Sequence, residues 1–171
     1  MSVATLAAAL PPETMAIQNI VQWFIWKEAE LLDRQDYKTW MGLWSPGGLY
    51  IIPTEFERQD SYAGMVNVLY DDADMRAARI KRMTSGFAAA SNPSARTARQ
   101  ISRFVIEEQT PQAINVCATM LLTEYKYEHT RILAADVDYR LAIDGNDLQL
   151  DRKVVRLINA DDFLPTIGYL L

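Results

Sequence analysis

Residues 26–44 read WKEAELLDRQDYKTWMGLW, and the position of Glu28 within them decides how the first third of the chain packs. At about 100° per residue along a helix, Ile17, Ile20, Val21, Phe24, Leu31 and Leu32 fall in one apolar stripe, with Glu28 near its centre. An ionised carboxylate carried into a core without a partner is costly, or it takes up a proton. Glu28 therefore has one of two roles. It is a buried anchor met by an arginine or by backbone donors, or it is an acid–base group facing a cavity. Trp23 and Trp26 lie on the opposite face of the same helix, an unusually aromatic surface of the kind that protein partners bury.

Outward from this stretch the chain divides into helices and then strands. Pro11-Pro12-Glu13 starts the first helix, because proline is tolerated in a first turn and a carboxylate favours the positive helix end; the pattern runs to about Arg34. Asp36 caps a short second helix carrying Tyr37, Trp40, Met41 and Trp44, which Pro46-Gly47-Gly48 terminates, and LYIIP at 49–53 reads as a short strand. A third helix spans about Asp71 to Met83, with acids in its first turn, bases in its last and Gly86 just beyond. After the loop SNPSA at 91–95, four segments are rich in β-branched and aromatic residues and alternate as strands: 99–109, 114–129, 131–143 and 148–158. Asp144-Gly145-Asn146 joins the last two as a tight hairpin. The expectation is an α+β domain in which helices cover one face of an antiparallel sheet.

With 171 residues the whole chain, 1–171, is expected to form a single domain, preceded over 1–12 by a flexible N-terminal arm that lacks the positive segment of a secretory signal. A formal charge of -5 opposes the electrostatic attraction that nucleic acid or an anionic membrane supplies, so neither is an expected partner. No run approaches the roughly 18 consecutive apolar residues of a membrane span. The single Cys117 forbids an intrachain disulfide, fits a reducing, cytoplasmic compartment, and reads as a small buried hydrophobe.

Little chemistry is available. One histidine, His129, and one distant cysteine cannot supply the usual ligand sets for zinc, non-haem iron or an iron-sulfur cluster, so no metal site or cofactor is expected in this chain. His129 itself reads as a surface residue. There is no G-x-S-x-G elbow, no Walker loop and no G-x-G-x-x-G turn.

Several ordered pieces resemble the small (β) subunit of aromatic-ring-hydroxylating dioxygenases, Rieske non-haem iron oxygenases whose small subunit belongs to the NTF2-like fold group. FIWKEAELLDRQDYKTWMGLW is similar to the family's first helix, with its "EARLLD" and following Trp. YDDADMRAARIKRM resembles its "YDD" helix and NPSARTARQIS its loop-to-strand passage, while DVDYRL, LDRKVVRL and FLPTIGYLL resemble its closing hairpin and apolar C-terminus. The resemblance implies a cone-shaped α+β barrel and an α subunit partner carrying the Rieske [2Fe-2S] cluster and mononuclear iron. It also implies a homotrimer of small subunits within an α3β3 assembly, and a structural chain with no catalytic residue. In the family's R-T-R-H and V-S-N positions this chain has Arg99 and Arg103, which makes them, with Trp23 and Trp26, candidates for the partner interface. Arg96, Arg99 and Arg103 are the candidate partners for Glu28, with Arg96 the expected structural anchor beside it. The alternative is a stand-alone NTF2-like isomerase, dehydratase or cyclase using Glu28 as acid or base inside the cone, with a tyrosine or arginine stabilising the oxyanion.

Overall fold

A computed structural model describes residues 12–86, 91–162 and 167–171. Apart from Pro12, the expected N-terminal arm lies outside the described residues. Helix α1 spans Pro12–Asp33, α2 Tyr37–Met41 and α3 Ala73–Thr84; strands β1 Trp44–Pro53, β2 Asn67–Asp71, β3 Arg96–Gln109, β4 Ala113–Lys126, β5 His129–Asp144 and β6 Asp147–Leu157 form one sheet. The strand order is β2-β1-β6-β5-β4-β3. The sheet is curved but open, with β2 and β3 as edges, so the barrel implied by the resemblance does not close. It is antiparallel throughout except where β1 runs parallel to β6. That one parallel pair corrects the all-antiparallel expectation.

Period-2 alternation divides the strands into two faces. Val116, Ala118, Met120 and Leu122 on β4, with Val137, Tyr139 and Leu141 on β5, are buried in the main core together with Val21, Phe24, Ile25, Leu31 and Leu32 of α1. Fully burying one such aliphatic side chain contributes about 1.5–3 kcal/mol, so this face accounts for most of the stabilising burial. Ile20 departs from the expected stripe and is 57% exposed. On the opposite face Ile51, Tyr62 and Val154 form a small separate cluster.

Two boundaries differ from the sequence reading. α2 ends at Met41, and Trp44 is the first residue of β1, so Pro46-Gly47-Gly48 lies within a strand instead of closing a helix. The cause is a close approach. A Cβ at Gly48 would stand 2.7 Å from the Leu150 backbone oxygen and 2.8 Å from the Trp44 ring, so only glycine lets β1 pass β6 there. Strand β2, Asn67–Asp71, was not anticipated, being only five residues long with alternating apolar side chains that also suit a loop.

Capping follows sequence chemistry closely. The Asp36 carboxylate accepts from the Thr39 amide, 3.2 Å, and Asp72 accepts from the Met75 amide, 2.9 Å, each satisfying a free N–H at a helix start.

Candidate functional site

The inner face carries one row of polar side chains among apolar neighbours. Register places Tyr50 of β1 beside Lys153 of β6, and Lys153 beside Tyr139 of β5, so the three stand side by side across the sheet. α1 lowers Glu28 onto this row. The Lys153 ammonium donates to Glu28 Oε1 at 2.8 Å and Oε2 at 3.1 Å, and Trp40 Nε1 donates to Oε1 at 2.8 Å. Both charged side chains are 1% exposed. Lys153 Nζ also donates to the Leu171 backbone oxygen at 2.9 Å. Burial pushes the Lys153 pKa down, against the pull of the Glu28 carboxylate. Burial likewise pushes the Tyr50 and Tyr139 hydroxyls up, with the Glu28 charge adding to it. Chemically this is a charge-neutral, hydrogen-bonded pair whose geometry ties α1, α2, β6 and the final residues together.

The arginines expected to meet Glu28 do not reach it. Arg96 is exposed on β3, its guanidinium 4.7 Å above the Tyr125 ring. Arg99 turns inward with a side chain 1% exposed, paired with Asp33 and donating to the Leu170 backbone oxygen. Its placement on an outer interface is thereby corrected: α1 ends over β3, and Asp33 draws the guanidinium under it. Arg103 remains outside, 73% exposed, with a positive φ of 55° at a bulge in β3 and a loose approach of 3.8 Å to Asp136. Trp23 is 66% exposed. Trp26 is half-committed, donating from Nε1 to the Ile101 backbone oxygen at 3.2 Å and meeting Phe104 edge-to-face.

Lys153 was the residue missed by sequence reasoning, and a signal for it existed. It falls in phase with Val155 and Leu157 on the apolar side of LDRKVVRL, so helix and strand each carry one misplaced charge, of opposite sign. Two such charges imply one another.

The outer face holds a second polar cluster. Asp138 accepts from Arg156 Nε at 3.1 Å and pairs with Arg58, whose other nitrogen bridges to Glu107 at 2.9 Å. Cys117 lies beside it, donating its thiol to Asp138 at 3.3 Å. It is half-buried in a polar setting, not the core hydrophobe expected. Burial and the adjacent carboxylate push its thiol up to about 11. His129 opens β5 and is exposed.

Among the described residues, no three His, Cys, Asp or Glu side chains converge as metal ligands. The donor set of these residues does not fit a Rieske cluster or a mononuclear iron centre. Also among the described residues, no helix is long and apolar enough to cross a membrane.

Helices laid over a curved, open six-stranded sheet, with a polar row facing them, define an NTF2-like α+β domain. The profile of the ring hydroxylating beta subunit family matches residues 27–161, and the chain belongs to that family. It is 29% identical over 102 residues to the benzene 1,2-dioxygenase subunit beta of Pseudomonas putida, covering 56% of this chain and about half, 54%, of that protein. It is 28% identical over 127 residues to the small oxygenase component of the p-cumate 2,3-dioxygenase system of the same organism, covering 73% of this chain and 71% of the relative. The solved beta subunit of benzoate 1,2-dioxygenase from Burkholderia mallei superimposes with a TM-score of 0.71 at 20% identity, over 88% of this chain and 95% of that one, a likeness of fold.

Proposed function

We propose that this chain is the non-catalytic, structural β subunit of a multicomponent aromatic-ring-hydroxylating dioxygenase, acting in the catabolism of aromatic compounds. It assembles with and stabilises an α subunit that carries the Rieske cluster and mononuclear iron. The observation that carries the reading is Glu28. Its carboxylate, placed where an acid or base would act, is held by three donated hydrogen bonds and a buried counter-charge, which suits an anchor and not a group that must change its proton. Family membership and the poor supply of metal ligands support the same reading. The assembly we propose is a homotrimer of this chain within an α3β3 complex, in the cytoplasm, with Trp23, Trp26 and Arg103 contributing to partner contacts.

Co-expression with a ring-hydroxylating dioxygenase large subunit from the same genome tests this. A hetero-oligomer on size exclusion that contains stoichiometric iron, from which this chain alone separates colourless, is the expected result. Failure of the two chains to co-purify, or ring hydroxylation by this chain alone, overturns it.

A further inference from the structure

On the outer face, the loop 54–66 between β1 and β2 is tied to β6, β5 and β3. The Phe56 backbone oxygen accepts from Arg156 Nη1 at 3.0 Å, Arg58 pairs with Glu107 and Asp138, and Tyr62 packs against Ile51 and Val154. Between this loop and the strands lies a cleft of about 220 Å³, whose lining includes Tyr62, Asn115, Arg152 and Val154.

Asn115 of β4, Arg140 of β5 and Arg152 of β6 are direct cross-strand neighbours in one row of that face. Like charges opposed across an antiparallel pair destabilise each other. Asp151 neutralises Arg140 at 3.0 Å, whereas the Arg152 guanidinium has no ion pair or hydrogen bond among the described residues. Of the acids lining the cleft, Arg58 holds Glu107 and Asp138, and Asp60 is exposed, so none of them answers Arg152. At the other end of the row the Asn115 amide oxygen is buried and accepts no hydrogen bond among the described residues, although its nitrogen donates to Glu108 at 2.7 Å. A buried acceptor left unmet is costly. One cleft thus holds a cation without an acceptor and an acceptor without a donor.

We propose that this cleft binds a small carboxylate that also carries a hydrogen-bond donor. The carboxylate sits on Arg152, whose planar fork offers two parallel bonds; the donor meets the Asn115 oxygen, and the apolar remainder lies against Val154 and the Tyr62 ring. The backbones of Asn115 and Arg152 are two strand spacings apart, about 10 Å, a distance that the arginine side chain and a short ligand span together. A few placed polar groups beside apolar walls is the make-up of small-molecule sites. The cleft lies on the face opposite Glu28 and Lys153, so the proposal does not depend on assembly with a large subunit.

The test titrates the full chain with leucine, its 2-hydroxy analogue and 4-methylpentanoate, which share one carbon frame and present an ammonium, a hydroxyl or no donor. NMR follows the backbone amides of Asn115 and Arg152. The expected result is saturable binding of a donor-bearing acid with a Kd on the order of 1 mM, about tenfold or more tighter than 4-methylpentanoate. Which of the two binds tighter separates an amino acid from a hydroxy acid. Arg152→Gln is expected to weaken binding about tenfold or more. Asn115→Leu is expected to erase the preference over 4-methylpentanoate, a readout that a change in stability alone does not move. No saturation by either donor-bearing acid, equal binding of 4-methylpentanoate, or undiminished affinity in Arg152→Gln overturns the proposal. Should Arg152→Gln fail to fold, Asn115→Leu decides, and a preference that survives it removes the site.

Discussion

Lys153 Nζ lies 2.8 Å from Glu28 Oε1 although 125 residues separate the two in the chain, and neither side chain is open to solvent. The pair closes the fold: it joins the first helix to the last strand at the row where Tyr50 and Tyr139 flank the lysine. Removing one partner strands the other. Glu28→Gln is expected to cost about 3–5 kcal/mol in urea unfolding, and Lys153→Met a similar amount. The double substitution is expected to recover a large part of the sum, giving a coupling energy above about 1 kcal/mol. Additive losses would mean that the two charges do not depend on each other.

The same pair shows what the sequence could reveal. Glu28 was legible because a helix repeats every few residues and one carboxylate interrupted six apolar positions. Its partner was harder to read, because β6 carries Asp151, Arg152, Lys153 and Arg156 close together, and which of them faces the core depends on a register set by β1 and β5. The strands β3 to β6 and the cap Asp36 were readable from local pattern alone, whereas Asp72, read as part of the third helix, caps it instead. The parallel pairing of β1 with β6 was not, since it joins residues about a hundred apart and leaves no local mark. Arg99 was misread for a similar reason: nothing near it in sequence announces Asp33.

Gly48 makes the β1 crossing a sharp test. A Cβ there meets backbone at 2.7 Å and a buried indole at 2.8 Å, whereas at Gly47 nothing lies within 4 Å. Gly48→Ala is expected to destabilise by about 1–3 kcal/mol, the range for overpacking a closed site, while Gly47→Ala stays within about 0.5 kcal/mol of the native chain. Thermal melts of the two variants provide the comparison.

Asp138 sets an acid limit. Burial raises its carboxyl pKa, but Arg58 and Arg156 outweigh burial, and the net value lies below the ordinary one. A carboxylate with a depressed folded pKa contributes stability that is full above the unfolded value, about 3.9, and is lost as pH falls through the folded value. The melting temperature of the native chain is therefore expected to fall below about pH 4 more steeply than that of Asp138→Asn, which starts lower at neutral pH. Parallel slopes would exclude this carboxylate as a source of the acid sensitivity.

Cys117 should be a poor nucleophile. With its thiol pushed up to about 11, little thiolate exists near neutrality. Iodoacetamide labelling at about pH 8 is expected to run at least tenfold slower than for an ordinary cysteine of pKa about 8.5. Burial is the leading cause and the Asp138 carboxylate the next, so Asp138→Asn should speed labelling without unfolding the chain. A native rate equal to that of free cysteine would contradict the raised value.

Trp23 separates folding from assembly. Its ring is 66% exposed on α1, beside a groove of about 490 Å³ shared with Phe24, Leu31, Leu43 and Leu148. An indole so placed contributes little to the fold of one chain, and aromatic anchors of this kind dominate binding when a partner covers them. Trp23→Ser is expected to leave the urea midpoint of the isolated chain nearly unchanged, within about 0.5 kcal/mol. The same variant should lower the yield of the proposed large subunit recovered with it by co-purification, and Arg103→Ser, also exposed, serves as a second probe of the outer surface. Trp26→Phe behaves differently, because loss of the hydrogen bond to Ile101 is expected to cost about 0.5–1.5 kcal/mol of stability even without a partner. If Trp23→Ser co-purifies as well as the native chain while remaining as stable, the α1 face does not carry the proposed contact with a large subunit.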